Sequence, residues 1–444
     1  MEKTTSRLGA AASAGYASGS LVTGAFSTVP GLLMLPYLTD TLGVAAGLAG
    51  ALAFVPKAWT VLVNPIAGRI SDRTTTSIGS RRPYVLGAGT AVGIGFALMF
   101  AGPFAAAAGA AWAITGYLLT ATTFAFFQSP YAAMPAEMTD DYGEHTRLMS
   151  WRVAGIALAT LATGGVAPLV VKSAGGGLPG HQAMGVLVGA VIVIGAVAAF
   201  CGTARAARPA APAAASLRSQ LAVASRSRSF RRLLVIVTLQ SAATGAQLAG
   251  ASYLARQLLG DPAAAGLLVA AFTAPALVLL PVLLRVGGGL DKRTGVLVSS
   301  TAYLLVSVLW LAVPGGSPLF VLVLGALLGA ANAAQDTFVL AMLPDCIAEE
   351  SARSGHRQAG VFAGVFSAGQ GLGFAVGPLL FGLVLQIAGY IPSTTGEAVA
   401  QSDTTATGVL LGFGVLPAAL TALSLLALGL PFSPGRRTPD SLRR

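Results

Sequence analysis

The chain alternates long apolar runs with short polar turns. The runs are about 20 residues long, enough to cross a hydrocarbon core of about 30 Å as helices. They predict twelve spans, near 16–38, 46–70, 84–105, 109–134, 149–171, 183–203, 232–255, 263–285, 295–314, 318–342, 358–388 and 407–431. One long polar connection, "ARAARPAAPAAASLRSQLAVASRSRSFR" at 204–231, divides them six and six. The expected architecture is an all-α integral membrane protein. It has a six-helix half over 1–204, a linker over 205–231 and a second six-helix half over 232–444.

Composition agrees with the pattern. A chain of 444 residues with 55% hydrophobic content and mean hydropathy +0.75 is too apolar for a soluble domain. The polar start "MEKTTSRLGAAAS" lacks the apolar core and cleavage site of a secretory signal. Two cysteines, Cys201 and Cys346, cannot build a disulfide framework.

The net charge of +11 is spread over short loops, which argues against a nucleic-acid surface and reports topology instead. With the N-terminus placed in the cytoplasm, all but three of the 27 Lys and Arg fall on the inside. Lys57 lies within a span, and only Lys172 and Arg256 fall outside. Both termini and the linker are therefore expected to be cytoplasmic. Arg in place of Lys fits a bacterial source, hence a bacterial cytoplasmic (inner) membrane.

Polar residues concentrate in "NPIAGRISDRTTTSIGSRRPY" at 64–84, the turn between spans 2 and 3. Its features return in "LLPVLLRVGGGLDKRTG" at 279–295. "MPAEMTDDYGEHTRLMSWRVAG" at 134–155 returns loosely as "MLPDCIAEESARSGHRQAGVFAG" at 342–364. The offsets are 216 for Pro65 to Pro281, 219 for Asp72 to Asp291, 209 for Pro135 to Pro344 and 205 for Arg152 to Arg357. Offsets that cluster at about 210 imply two related halves, an architecture of rocking secondary transporters.

"GRISDR…GSRRPY" resembles the loop 2–3 signature of the major facilitator superfamily. Together with "SPYAAMPAEMTDDYGEHTRLMSWR", the stretch at 64–84 is more narrowly similar to the glycoside–pentoside–hexuronide:cation symporters, the melibiose permease group. The resemblance implies twelve helices in two pseudo-symmetric six-helix bundles, alternating access, a cavity between the halves and cation-driven sugar uptake. It also implies a cytoplasmic gate, carried here onto Asp72, Arg73, Arg81 and Arg82. Gly68, Glu137, Asp291 and Asp345, in the same repeated segments, are counted with it.

Where the family keeps sodium-binding aspartates, this chain has Thr60, Asn64 and Gln128. The span-1 sugar-binding aspartate aligns near Gly24, and a span-11 lysine near Gln370. Basic residues persist as Lys57 and Arg152. A proton is thus the expected co-substrate in preference to sodium.

Ionisable groups inside a membrane are functional candidates because they are costly there. Lys57 and Asp336 are the two predicted to stand deep in spans. Asp336 occupies nearly the repeat position of Gln128 and is the candidate proton carrier; its alternative role is a plain pairing within the helix bundle. Lys57, Thr60 and Asn64 are spaced i, i+3, i+7 and share one helix face. They join Gln128, Tyr131, Arg152, Gln335 and Gln370 as candidates for a cavity that takes a small polar solute. Helix-to-helix bonding remains the alternative for the amides.

The three histidines are expected in loops, and no phosphate-cradling glycine motif or catalytic constellation is present. No metal, cofactor or enzyme activity is expected, and the protein is expected to be a monomer in the bilayer. Three functions remain open: proton-coupled symport of a sugar, glycoside or similar polar solute; proton-driven export of a drug or natural product on the same fold; and a membrane enzyme or scaffold, which would need a catalytic constellation that the sequence does not display.

Overall fold

A computed structural model describes residues 9–139, 141–204, 227–286, 291–313, 317–354, 359–394 and 399–429. Twelve helices in it are long and apolar enough to cross a membrane. In the first half they are α1 (Ala11–Thr41), α2 (Ala46–Asp72), α3 (Arg82–Phe100), α4 (Ala106–Ala133), α5 (Arg147–Ser173) and α6 (Gly177–Gly202). In the second they are α7 (Arg228–Leu259), α8 (Pro262–Leu279), α9 (Lys292–Ala312), α10 (Pro318–Arg353), α11 (Phe362–Ile387) and α12 (Asp403–Gly429). Most of the linker, 205–226, lies outside the described residues.

The halves repeat one packing plan. α1 packs on α5, α3 on α6 and α2 on α4; α7 packs on α11, α9 on α12 and α8 on α10. Lipid tails are as apolar as leucine, so these contacts depend on close fit instead of hydrophobic drive. Gly93 on α3 and Gly189 on α6 show how close: a Cβ on either would stand 2.6 Å from the other's carbonyl oxygen. The arginine clamps repeat as well. Arg82 donates to the Phe200 carbonyl at the end of α6 (2.8 Å), and Arg293 donates to the Leu428 carbonyl at the end of α12 (3.1 Å). Both satisfy last-turn carbonyls that a helix leaves without internal partners.

The two halves meet along α1–α7, α2–α11 and α5–α8. Their close approaches lie at the face opposite the linker, here called the far face. Gly50 lies against the Pro378 carbonyl, Gly382 against that of Ala46, and Gly266 against that of Gly165. The hydrogen bonds joining the halves gather there too, including Ser393 N–H to the Thr39 carbonyl (2.9 Å) and Gly47 N–H to Gln386 Oε1 (3.2 Å).

Several helices outrun the apolar runs that predicted them. α10 continues to Arg353 instead of stopping near 342, and α1 reaches Thr41 through a widened π turn over Tyr37–Thr41. Hydropathy marks where apolar character stops. Helix hydrogen bonding continues through residues of good propensity, such as the Ala and Glu of "DCIAEES". For the same reason His181 belongs to α6 and His145 to the helix Tyr142–Ser173 that contains α5, not to loops, while His356 lies outside the described residues; the His181 Nδ1 lies 2.7 Å from the Gly177 carbonyl.

Candidate functional site

The candidate residues lie on the helix faces turned away from lipid. On α2, Leu48 and Ile66 are exposed apolar residues, and each stands nine positions from Lys57. At 3.6 residues per turn, nine positions are two and a half turns, so Lys57 points the opposite way. Asn64 and Thr60 fall on the same side. The same spacing separates exposed Leu119 from Gln128 on α4, and exposed Leu327 from Asp336 on α10, where exposed Leu340 stands one turn from Asp336 on its own side.

Lys57 reaches toward α1 near Pro30, which stands inside that helix. Its Nζ lies 3.2 Å from the point a Cβ on Gly31 would occupy, beside Leu248 of α7. No ion pair holds it among the described residues. The Thr60 hydroxyl donates to the Lys57 carbonyl (2.6 Å). The Asn64 carbonyl accepts from Ser129 on α4 (2.9 Å), while its buried side-chain oxygen has no partner among the described residues. Gln128 Oε1 accepts from Thr23 of α1 (2.8 Å).

Tyr131 and Arg152 form a separate cluster near the linker end. Tyr131 is fully buried, stacks on Tyr16, and donates its hydroxyl to the Tyr16 carbonyl (2.7 Å). The Arg152 guanidinium lies over the Tyr131 ring at 5.4 Å. Full burial makes Tyr131 part of the packing, so it offers no surface to a solute.

In the second half, Asp336 is exposed and Gln335 beside it is buried. Asn332 donates to Asp336 (3.2 Å) and accepts from Thr244 of α7 (2.9 Å). One turn further along α7 stands Leu248, against Gly31. Asp336 therefore sits on the side of α10 that turns toward α7 and, past it, toward the first half. Gln370 on α11 is partly buried next to Gly371, which faces Val61 of α2. Gln240 and Gln247 are internal ties. The first donates to Ser300 and Ser424, and the second accepts from Tyr303 at 2.5 Å.

The gate candidates are paired within their own halves. Arg81 meets Asp72 at 3.2 Å, and Lys292 meets Asp345 at 2.8 Å. Asp291 caps α9 by accepting from Thr294 N–H (3.2 Å), Arg73 is exposed, and Gly68 lies near Ser129. The side chain of Glu137 lies outside the described part. None of these described contacts crosses between the halves.

Sequence reasoning missed the charged pairs that do cross, at the far face. Arg256 of α7 donates to Asp40 of α1 (2.7 Å), and Lys172 of α5 donates to Asp261 before α8 (2.6 Å). Lys172 beside it holds the Asp261 carboxyl below its usual value. The signal was present, because Lys172 and Arg256 are the two bases that break the inside bias.

A family model described as MFS/sugar transport protein matches residues 15–431. A candidate glycoside/cation symporter of Escherichia coli (strain K12), YagG, is 34% identical over 158 residues, 35% of this chain and 34% of that protein. The match thus spans about a third of that relative's length. The uncharacterized symporter YnaJ of Bacillus subtilis (strain 168) is 24% identical over 426 residues, covering 93% of this chain and 89% of its own. Among solved structures, an inward-facing, unoccupied bacterial homologue of the human lysosomal transporter Spinster aligns with TM-score 0.64 at 13% identity over 94% of both chains. That likeness shows the shared fold.

Proposed function

Because the chain belongs to the MFS/sugar transport protein family, we propose that this secondary transporter carries a sugar, glycoside or similar polar solute together with a proton. The observation that carries the proton assignment is Asp336. It is a carboxylate clear of both ends of its span, accessible on the face opposite Leu327 and hydrogen-bonded to a neutral amide. Burial disfavours the charged form of a carboxylate, so a cavity that opens and closes around one exchanges its proton. Thr60, Asn64 and Gln128 offer neutral oxygens without the negative charge a dedicated sodium site uses.

The linker face is the cytoplasmic face in this reading, on the strength of its basic residues. The halves touch at the far face and their loop 2–3 and loop 8–9 charges pair within each half, so this conformation opens inward. Return to the outward-open form brings Asp72, Arg73, Arg81 and Arg82 against the other half. The protein works as a monomer in the bacterial inner membrane.

The test is uptake into proteoliposomes of a labelled panel of pentoses, hexoses and glycosides under an imposed inward proton gradient. Accumulation of a panel member that a protonophore abolishes is the expected result. Accumulation driven by a sodium gradient at fixed pH contradicts the proton assignment.

A further inference from the structure

The repeat that relates the halves has a consequence at their seam. Arg256 stands 216 positions after Asp40, the offset that also separates Pro65 from Pro281. Asp40 ends α1 and Arg256 lies near the end of α7, and α1 and α7 are the first helices of the two halves. The two residues are therefore repeat equivalents. Equivalent positions that touch each other lie on the pseudo-twofold axis, where a duplicated chain would meet its own copy. Two identical charges there would repel and hold the face open. Opposite charges attract.

We propose that Asp40 and Arg256 form an on-axis lock that keeps the far face closed, and that the lock must open for the outward-open form to appear. The Asp40 carboxylate is almost fully buried and every oxygen is used. Oδ2 accepts from Arg256 (2.7 Å), and Oδ1 accepts from Thr39 (2.7 Å) and Tyr390 (2.7 Å). Arg256 also donates to the Tyr390 hydroxyl (3.2 Å), and Tyr253 lies 2.7 Å from the Thr39 hydroxyl. Burial and the adjacent carboxylate push the Tyr390 hydroxyl above the usual phenol value, so it stays a donor.

Thr39 and Asp40 belong to the first half; Tyr253, Arg256 and Tyr390 belong to the second. The π turn over Tyr37–Thr41 supplies the wide loop that lets Asp40 face the axis.

The off-axis contacts repeat in weaker form. Lys172 to Asp261 joins α5 to the α8 entry, and Gln386 to Gly47 N–H joins α11 to α2. Gln386 follows Lys172 by 214 positions, so these are the two copies of one contact, with an amide replacing the ion pair. The Lys172 side chain is 63% exposed against 8% for Asp40. An exposed pair is screened and contributes little, whereas breaking a buried one strands a charge. The axis pair thus dominates the closure.

The inference rests on the two halves rocking, but its readout needs no transported solute. Cys201 and Cys346 are replaced by Ala, and Ser252→Cys is introduced as reporter, buried at the seam one turn from Arg256. An impermeant maleimide is added outside right-side-out vesicles, with an exposed Ser173→Cys protein as the control for sidedness.

Asp40→Asn and Arg256→Gln should each raise reporter labelling at least about fivefold. The exchange Asp40→Arg with Arg256→Asp should return it to about the parental rate, since equivalent positions tolerate reversal. Tyr390→Phe keeps both charges, covers poor insertion of the single variants, and should also raise labelling. Labelling at the parental rate in these variants, with the control reactive, overturns the lock. So does an exchange variant that labels as fast as the single ones.

Discussion

Asn332 donates its amide to the Asp336 carboxylate at 3.2 Å while its own oxygen is held by Thr244 of α7 at 2.9 Å. The acid is thus tied through one neutral side chain to the helix that meets the first half. A hydrogen bond to a charged group is worth about 1.5–3 kcal/mol. Asn332→Ala should therefore cut gradient-driven accumulation by roughly an order of magnitude while sparing insertion. Thr244→Val removes a neutral bond and should have the smaller effect. Equal accumulation ratios in Asn332→Ala and parent would remove the amide from the coupling account.

Asp72 is held by Arg81 of its own half, and in the proposed cycle this leaves the gate on the linker face open. Asp72→Asn or Arg73→Ala should leave expression and folding intact and slow transport, because the cycle needs this contact with the other half to form and break. Initial uptake rates normalised to membrane protein check this. Parental rates would leave the loop with topology as its sole task.

A sodium gradient at fixed pH should give no stimulation of uptake. Thr60 spends its hydroxyl on the Lys57 carbonyl and Gln128 accepts from Thr23, so neither position presents a free anionic ligand. Sodium-dependent accumulation in proteoliposomes would refute this.

Arg82 is buried, clamps the Phe200 carbonyl and lies over the Phe200 ring at 4.3 Å. Arg82→Ala should cost about 1.5–3 kcal/mol of stability and lower the melting temperature in detergent by several degrees. Arg293→Ala, at the equivalent clamp on α12, should behave alike though more mildly, as its carbonyl bond is longer, at 3.1 Å. An unchanged melting curve for Arg82→Ala would show the clamp to be energetically idle.

The twelve spans and the twofold repeat were legible because lipid enforces apolar runs and duplication leaves a constant offset. Lys57, Asn64 and Asp336 drew notice for a related reason, since a polar residue on a lipid face is costly. Tyr131, counted from the sequence with the cavity, is buried here against Tyr16, and such stacking leaves no trace in spacing. Arg256 stood out as one of the two bases outside, but its partner was not legible, because Asp40 lies near a predicted span end, where charges are ordinary. Only the fold brings positions 216 apart within hydrogen-bonding distance.

The central claim is that Asp336 carries the coupled proton, and one paired measurement on Asp336→Asn tests it most directly. Asn mimics the permanently protonated acid, so the loaded carrier can still reorient but cannot release a proton. In proteoliposomes, the variant should retain solute counterflow at rates close to the parent and lose accumulation driven by a pH gradient. An Asp336→Asn protein that still concentrates its solute under that gradient would contradict the claim.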